Sequence, residues 1–108
     1  MGNIFKLLQK QHVNEMKKQI PKLTKEYCHK WYKEHNQMKD IIPEQKFVEE
    51  VNRSVRITIK NNDVQISLQP FKTTDIEESK LKVMESIWDD FGSKYKQYIV
   101  SKLPKIFG

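Results

Sequence analysis

The chain has 108 residues, of which 31% are charged and 37% hydrophobic, and a formal net charge of +6. That length suits one small domain spanning 1–108 and leaves little room for a second core. A single cysteine, Cys28, excludes an intrachain disulfide and with it a disulfide-stapled secreted scaffold.

No apolar run approaches the roughly 18 residues of a membrane span. The opening residues, MGNIFKLLQK, lack the apolar stretch and small-residue cleavage site of a secretory signal. A cytoplasmic or virion-associated location is therefore expected, and a membrane role is not. The positive charge is concentrated early: residues 1–39 hold nine lysines against three acids. Only Arg53 and Arg56 are arginines. A lysine-dominated surface favours solubility or phosphate contact over bidentate reading of bases, which suits the planar fork of arginine.

In chain order, the first predicted element is a helix over 4–20, with Ile4, Leu8, Val13, Met16 and Ile20 recurring at helical steps. Residues 1–20 could form a semi-independent helical arm. Pro21 is expected to break this helix, because proline removes an amide donor and clashes with the preceding turn. A second helix follows over about 24–39, with Leu23, Tyr27, Trp31 and Met38 as its stripe, widened by Cys28 and Tyr32. Pro43 suits the first turn of a short helix over about 44–53, whose apolar side is Phe47, Val48 and Val51.

A β-hairpin over about 54–69 comes next. Val55, Ile57 and Ile59 alternate with Arg56, Thr58 and Lys60, and Val64, Ile66 and Leu68 alternate with Gln65, Ser67 and Gln69. A two-residue turn at Asn61-Asn62 sets Ile59 opposite Val64, Ile57 opposite Ile66 and Val55 opposite Leu68. A one-residue slip would turn the apolar face to water, so pattern and turn specify one register. The last element is a long helix over about 74–103, opened by a capping box at Thr74 and Glu77. Its stripe is Leu81, Met84, Trp88, Phe91, Tyr95 and Tyr98; Gly92 is expected to loosen it and Pro104 to end it. The fold class is α+β, with N-terminal helices, a central antiparallel hairpin and a long C-terminal helix to cover it, since a lone hairpin is marginal in water.

Site chemistry is sparse. His12, His29, His35 and Cys28 form no Cys-x-x-Cys or His-x-x-x-His pair, so no metal is expected. The serines lie in no Gly-x-Ser-x-Gly turn, and glycines at 2, 92 and 108 build no phosphate loop. Neither catalysis, nor a cofactor, nor a small-molecule substrate is expected. The aromatic residues Trp31, Tyr32, Trp88, Phe91, Tyr95 and Tyr98 form stripes that suit a core, a subunit interface or a protein partner. Lys17, Lys18, Lys22, Lys25, Arg53, Arg56 and Lys60 are the candidate nucleic-acid contacts, with a polar strand face that could lie in a groove.

Two short strings carry resemblances. Met1-Gly2-Asn3-Ile4-Phe5 is similar to the start of ADP-ribosylation factor GTPases, which are myristoylated on Gly2, although Lys6 departs from the acylation pattern and no GTPase motif follows. Val51-Asn52-Arg53-Ser54-Val55, leading into a hairpin, resembles small phage tail-component and head–tail joining proteins; the Asp-Thr-Gly that precedes such a string there is missing. The leading functional expectation is a non-catalytic protein–protein interaction or assembly protein, oligomeric and of bacterial, phage or mobile-element type. The alternatives are a nucleic-acid-binding protein and a phage tail or head–tail joining component.

Overall fold

The computed structural model describes the backbone over 2–60, 63–72 and 76–103, and the side chains in those ranges apart from 2–9, 59, 63 and 64. Three helices precede a hairpin and one follows it: α1 Gly2–Glu34, α2 Met38–Ile41, α3 Glu44–Ser54, β1 Val55–Lys60, β2 Asp63–Leu68 and α4 Glu78–Lys102. The order confirms an α+β fold with a central antiparallel hairpin and a long C-terminal helix.

The expected break at Pro21 does not occur, because α1 runs through it as a single helix. A proline inside a helix costs about 3 kcal/mol. Here the same face of the helix is buried on both sides of it, with Met16 and Ile20 before and Thr24, Tyr27 and Trp31 after. At about 1.5–3 kcal/mol for each large apolar side chain removed from water, those contacts outweigh the local penalty. Pro21 itself is exposed, at the flank of the buried stripe and facing β1.

The helix also ends earlier than expected, at Glu34. The amide of His35 donates to Trp31 O at 2.9 Å, and the ring Nδ1 of His35 lies 3.0 Å from the same carbonyl. The chain then folds back through α2, burying Met38 within it and Ile42 just after it. The Tyr32 hydroxyl pins this return by donating to Ile42 O at 2.9 Å.

Helix α4 starts at Glu78 rather than at the expected capping box. Glu77 occupies the cap position and makes no side-chain cap bond; its carbonyl instead accepts from the amides of Lys80 and Leu81. Thr74 and Pro104 lie outside the described residues.

The core is where α1, α3 and α4 meet over one face of the hairpin. Phe91 of α4 is its centre: its ring sits edge-on to Phe47 of α3 at 4.8 Å and to Trp31 of α1 at 5.3 Å. Ile66 is buried beneath, and Val55, Ile57 and Leu68 are packed partly against the same cluster.

The hairpin has the expected register: Val55 pairs with Leu68, Ile57 with Ile66, Ile59 with Val64 and Lys60 with Asp63. The turn at Asn61-Asn62 lies outside the described residues. Its open end is tied at three points. Gln69 N donates to Ser54 O at 2.9 Å, Trp88 Nε1 donates to Gln69 O at 3.0 Å, and Lys72 N donates to the buried Glu50 carboxylate at 3.0 Å. Gly92 lies where α4 crosses this end; a Cβ there would stand 3.3 Å from Leu68 Cδ1, a tight contact that a small shift of that side-chain end relieves.

Candidate functional site

Trp31, Tyr32, Trp88, Phe91 and Tyr95 do not form a partner surface, because each is at most 5% exposed. Their helical spacing turns them inward, where they pack with Phe47 across α1, α3 and α4. Tyr98 is half-buried against Tyr27, with ring centres 4.8 Å apart. The large apolar side chains exposed among the described residues are Val83 and Val100. They stand about 25 Å apart along α4 and form no continuous patch.

The seven basic candidates are all exposed, but they do not act as one group. Lys18 pairs with Glu15 at 3.4 Å, and Arg53 Nη2 lies 2.8 Å from the Glu50 carboxylate. Lys25 borders a hollow shared with Glu44 and Glu49, so acids offset it there. Lys22 is exposed on α1 and Lys60 stands at the turn end of β1.

Lys17 and Arg56 are brought together. They line a groove of about 390 Å³ between α1 and β1, with Ile20, Pro21, Asn52, Val55 and Ile57. No acid is among its described lining residues. Three successive strand residues can border one groove only along the edge of the strand, since their side chains alternate between faces. The groove therefore follows the outer edge of β1.

The polarity of that edge follows from the register. The Gln69–Ser54 bond makes that pair a hydrogen-bonded one, so by alternation Arg56–Ser67, Thr58–Gln65 and Lys60–Asp63 are the bonded pairs along the ladder. Val55 and Ile57 direct their amides and carbonyls away from β2. The two groups of Val55 are satisfied within the chain: its amide donates to Val51 O, and its carbonyl accepts from Arg56 Nη1 at 2.8 Å. The same guanidinium nitrogen donates to Arg53 O at 2.8 Å, placing a cation at the C-terminal end of α3 where the helix dipole favours it. The outward groups of Ile57 have no partner among the described residues.

Asn52 adds a second unmet demand. The residue lines this groove, and its Oδ1 is buried without a hydrogen-bond partner. Lys17 and Arg56 are legible in the sequence as cations, whereas Asn52, Pro21 and the Ile57 backbone carry no sign there of belonging to one site. Nothing in one-dimensional spacing marks a strand edge; the expectation of a break at Pro21 also hid the continuous helix wall facing it.

Cys28 is fully buried, and burial raises its thiol pKa well above the ordinary range. Such a thiol is a poor nucleophile. Among the described residues, no three His, Cys, Asp or Glu side chains are placed to hold a metal ion. No helix among them is long and apolar enough to cross a membrane.

The fold and groove thus define an α+β hairpin protein with one basic, partly open strand edge. No family model, curated protein or solved structure matches the chain.

Proposed function

We propose that this chain is a non-catalytic protein–protein interaction or assembly protein. The observation that supports this most is the α1–β1 groove, which joins apolar walls, two cations and an unpaired backbone edge in one place. Unpaired strand edges are templates for another chain, and proteins that do not use them tend to cover or blunt them. The aromatic residues, being internal, no longer argue for self-association; a different partner chain is the better reading. A phage tail or head–tail joint is one setting for such a protein, motivated by the 51–55 string alone.

The test is recovery of partners from the native host, followed by reconstitution with purified proteins. A partner whose complex re-forms from pure components supports the reading. A strict monomer in sedimentation, with no reconstituted complex, overturns it.

A second reading, nucleic-acid binding, draws on the exposure of Lys17, Lys18, Lys22 and Lys25 along α1 together with Arg53, Arg56 and Lys60. Phosphate contacts are strongest at low salt, so binding to duplex or single-stranded DNA should appear there and fall steeply as salt rises. No binding at low salt excludes it.

A further inference from the structure

We infer that the outer edge of β1 accepts an extended acidic peptide segment of a partner chain, which adds to the hairpin as a third strand beside α1. This rests on the interaction reading above and names the surface and the chemistry of the partner.

Three features of the groove converge on that occupant. Ile57 presents an amide and a carbonyl outward without partners among the described residues, which is the pattern that an added strand completes. Asn52 lines the groove, and its Oδ1, a buried acceptor without a partner, would gain one if the side chain turned toward a peptide amide. Lys17 and Arg56 stand on the two sides of the groove with no acid among its described lining residues, so the occupant's side chains should be negative. Ile20, Val55 and Ile57 supply apolar contact between those charges. A space of about 390 Å³ fits a short stretch of chain and not a folded domain.

Charge decides against a second copy of this chain. Pairing two such edges would set Lys17 and Arg56 of one protomer near those of the other, on proteins that each carry a net charge of +6. The edge is also blunted on one side only. Arg56 closes the Val55 carbonyl, and pairing would therefore begin at Ile57 and run toward Lys60. That places the cation of Arg56 at one end of the added segment and Lys60 at the other.

The probe is a synthetic peptide of alternating Glu and Val, compared with one of alternating Lys and Val and with a thymidine oligonucleotide. Each is titrated into the full chain at low salt, up to about 1 mM, where weak contacts still register. Amide hydrogen exchange and chemical shifts are read residue by residue. The expected result is slowed exchange at Ile57 with the acidic peptide, and shifts at Asn52 and Lys17. The lysine peptide should give neither. Lys17→Glu should weaken the acidic peptide several-fold without altering the fold, because Lys17 is exposed. An unprotected Ile57 amide overturns the proposal, as does equal binding of the lysine peptide. Protection by the oligonucleotide alone overturns it in favour of phosphate binding. If a reconstituted partner binds while Ile57 stays unprotected, the edge proposal fails and the interaction reading stands.

Discussion

The Thr24 and Tyr95 hydroxyls lie 2.7 Å apart, 71 positions distant in sequence, with both side chains fully buried. They form a polar tie between α1 and α4 within a largely apolar core. A buried hydroxyl deprived of its partner costs about 1–3 kcal/mol, whereas removing both partners is far cheaper. Tyr95→Phe and Thr24→Val should each destabilise by that amount. The double variant should be less destabilised than the sum of the two, by about 0.5–3 kcal/mol of coupling. Urea denaturation of the four proteins measures this, and strictly additive losses would show that the hydroxyls do not depend on each other.

Alkaline stability follows from the same burial. Desolvation pushes the Tyr95 hydroxyl up to about 12, against the opposing pull of the Thr24 hydrogen bond. It also raises Tyr32 and Cys28. In the unfolded chain the tyrosines ionise near 10 and the cysteine near 9. Above those values the unfolded chain has released protons that the folded chain still holds, so rising pH draws the equilibrium toward unfolding. Stability should fall progressively from about pH 9 toward pH 12. Tyr95→Phe should flatten the upper part of that fall in pH-dependent urea titrations.

Cys28 provides an independent reporter. Its thiol should resist disulfide-exchange reagents in the folded chain and react only as the core opens. The labelling rate should therefore rise in parallel with the unfolded fraction as denaturant is added. Fast labelling without denaturant would contradict the packing described for α1.

Gly92→Ala tests the contact between α4 and β2. Alanine improves helix propensity by about 1 kcal/mol. The new methyl would meet only Leu68 Cδ1, at 3.3 Å, the end of a flexible and half-exposed side chain. Net stabilisation of about 0.5 kcal/mol is expected in thermal or urea unfolding. Gly92→Leu, which cannot be accommodated by a small shift, should instead destabilise the hairpin.

Pro21→Ala should stabilise the chain by about 1–3 kcal/mol, because α1 already passes through this position and alanine restores the missing amide. Helical circular dichroism should change little while the urea midpoint rises. A large loss of helix would mean that Pro21 is needed for the observed path.

The hairpin was legible in the sequence because its information is local. Alternation at 55–59 and 64–68 has a period of two, and any slip would expose every apolar residue at once. The α4 stripe was legible for a similar reason, although its start was not. Glu77 fits a capping-box pattern in sequence, but its backbone carbonyl opens the helix instead. The candidate site was only half legible: Lys17 and Arg56 were named as cations, but without any sign that they meet.

What the sequence determined by itself was therefore the set of elements whose periodicity is complete within a short window, above all the register from Val55 to Leu68. Tertiary structure alone decided that α1 continues through Pro21 and that five of the six candidate aromatic residues lie within the core. It also decided that one edge of β1 stays open beside Lys17. The physical reason is range. A strand's alternation is set by neighbouring residues, whereas a helix carried past a proline and a groove between α1 and β1 depend on packing partners tens of positions away.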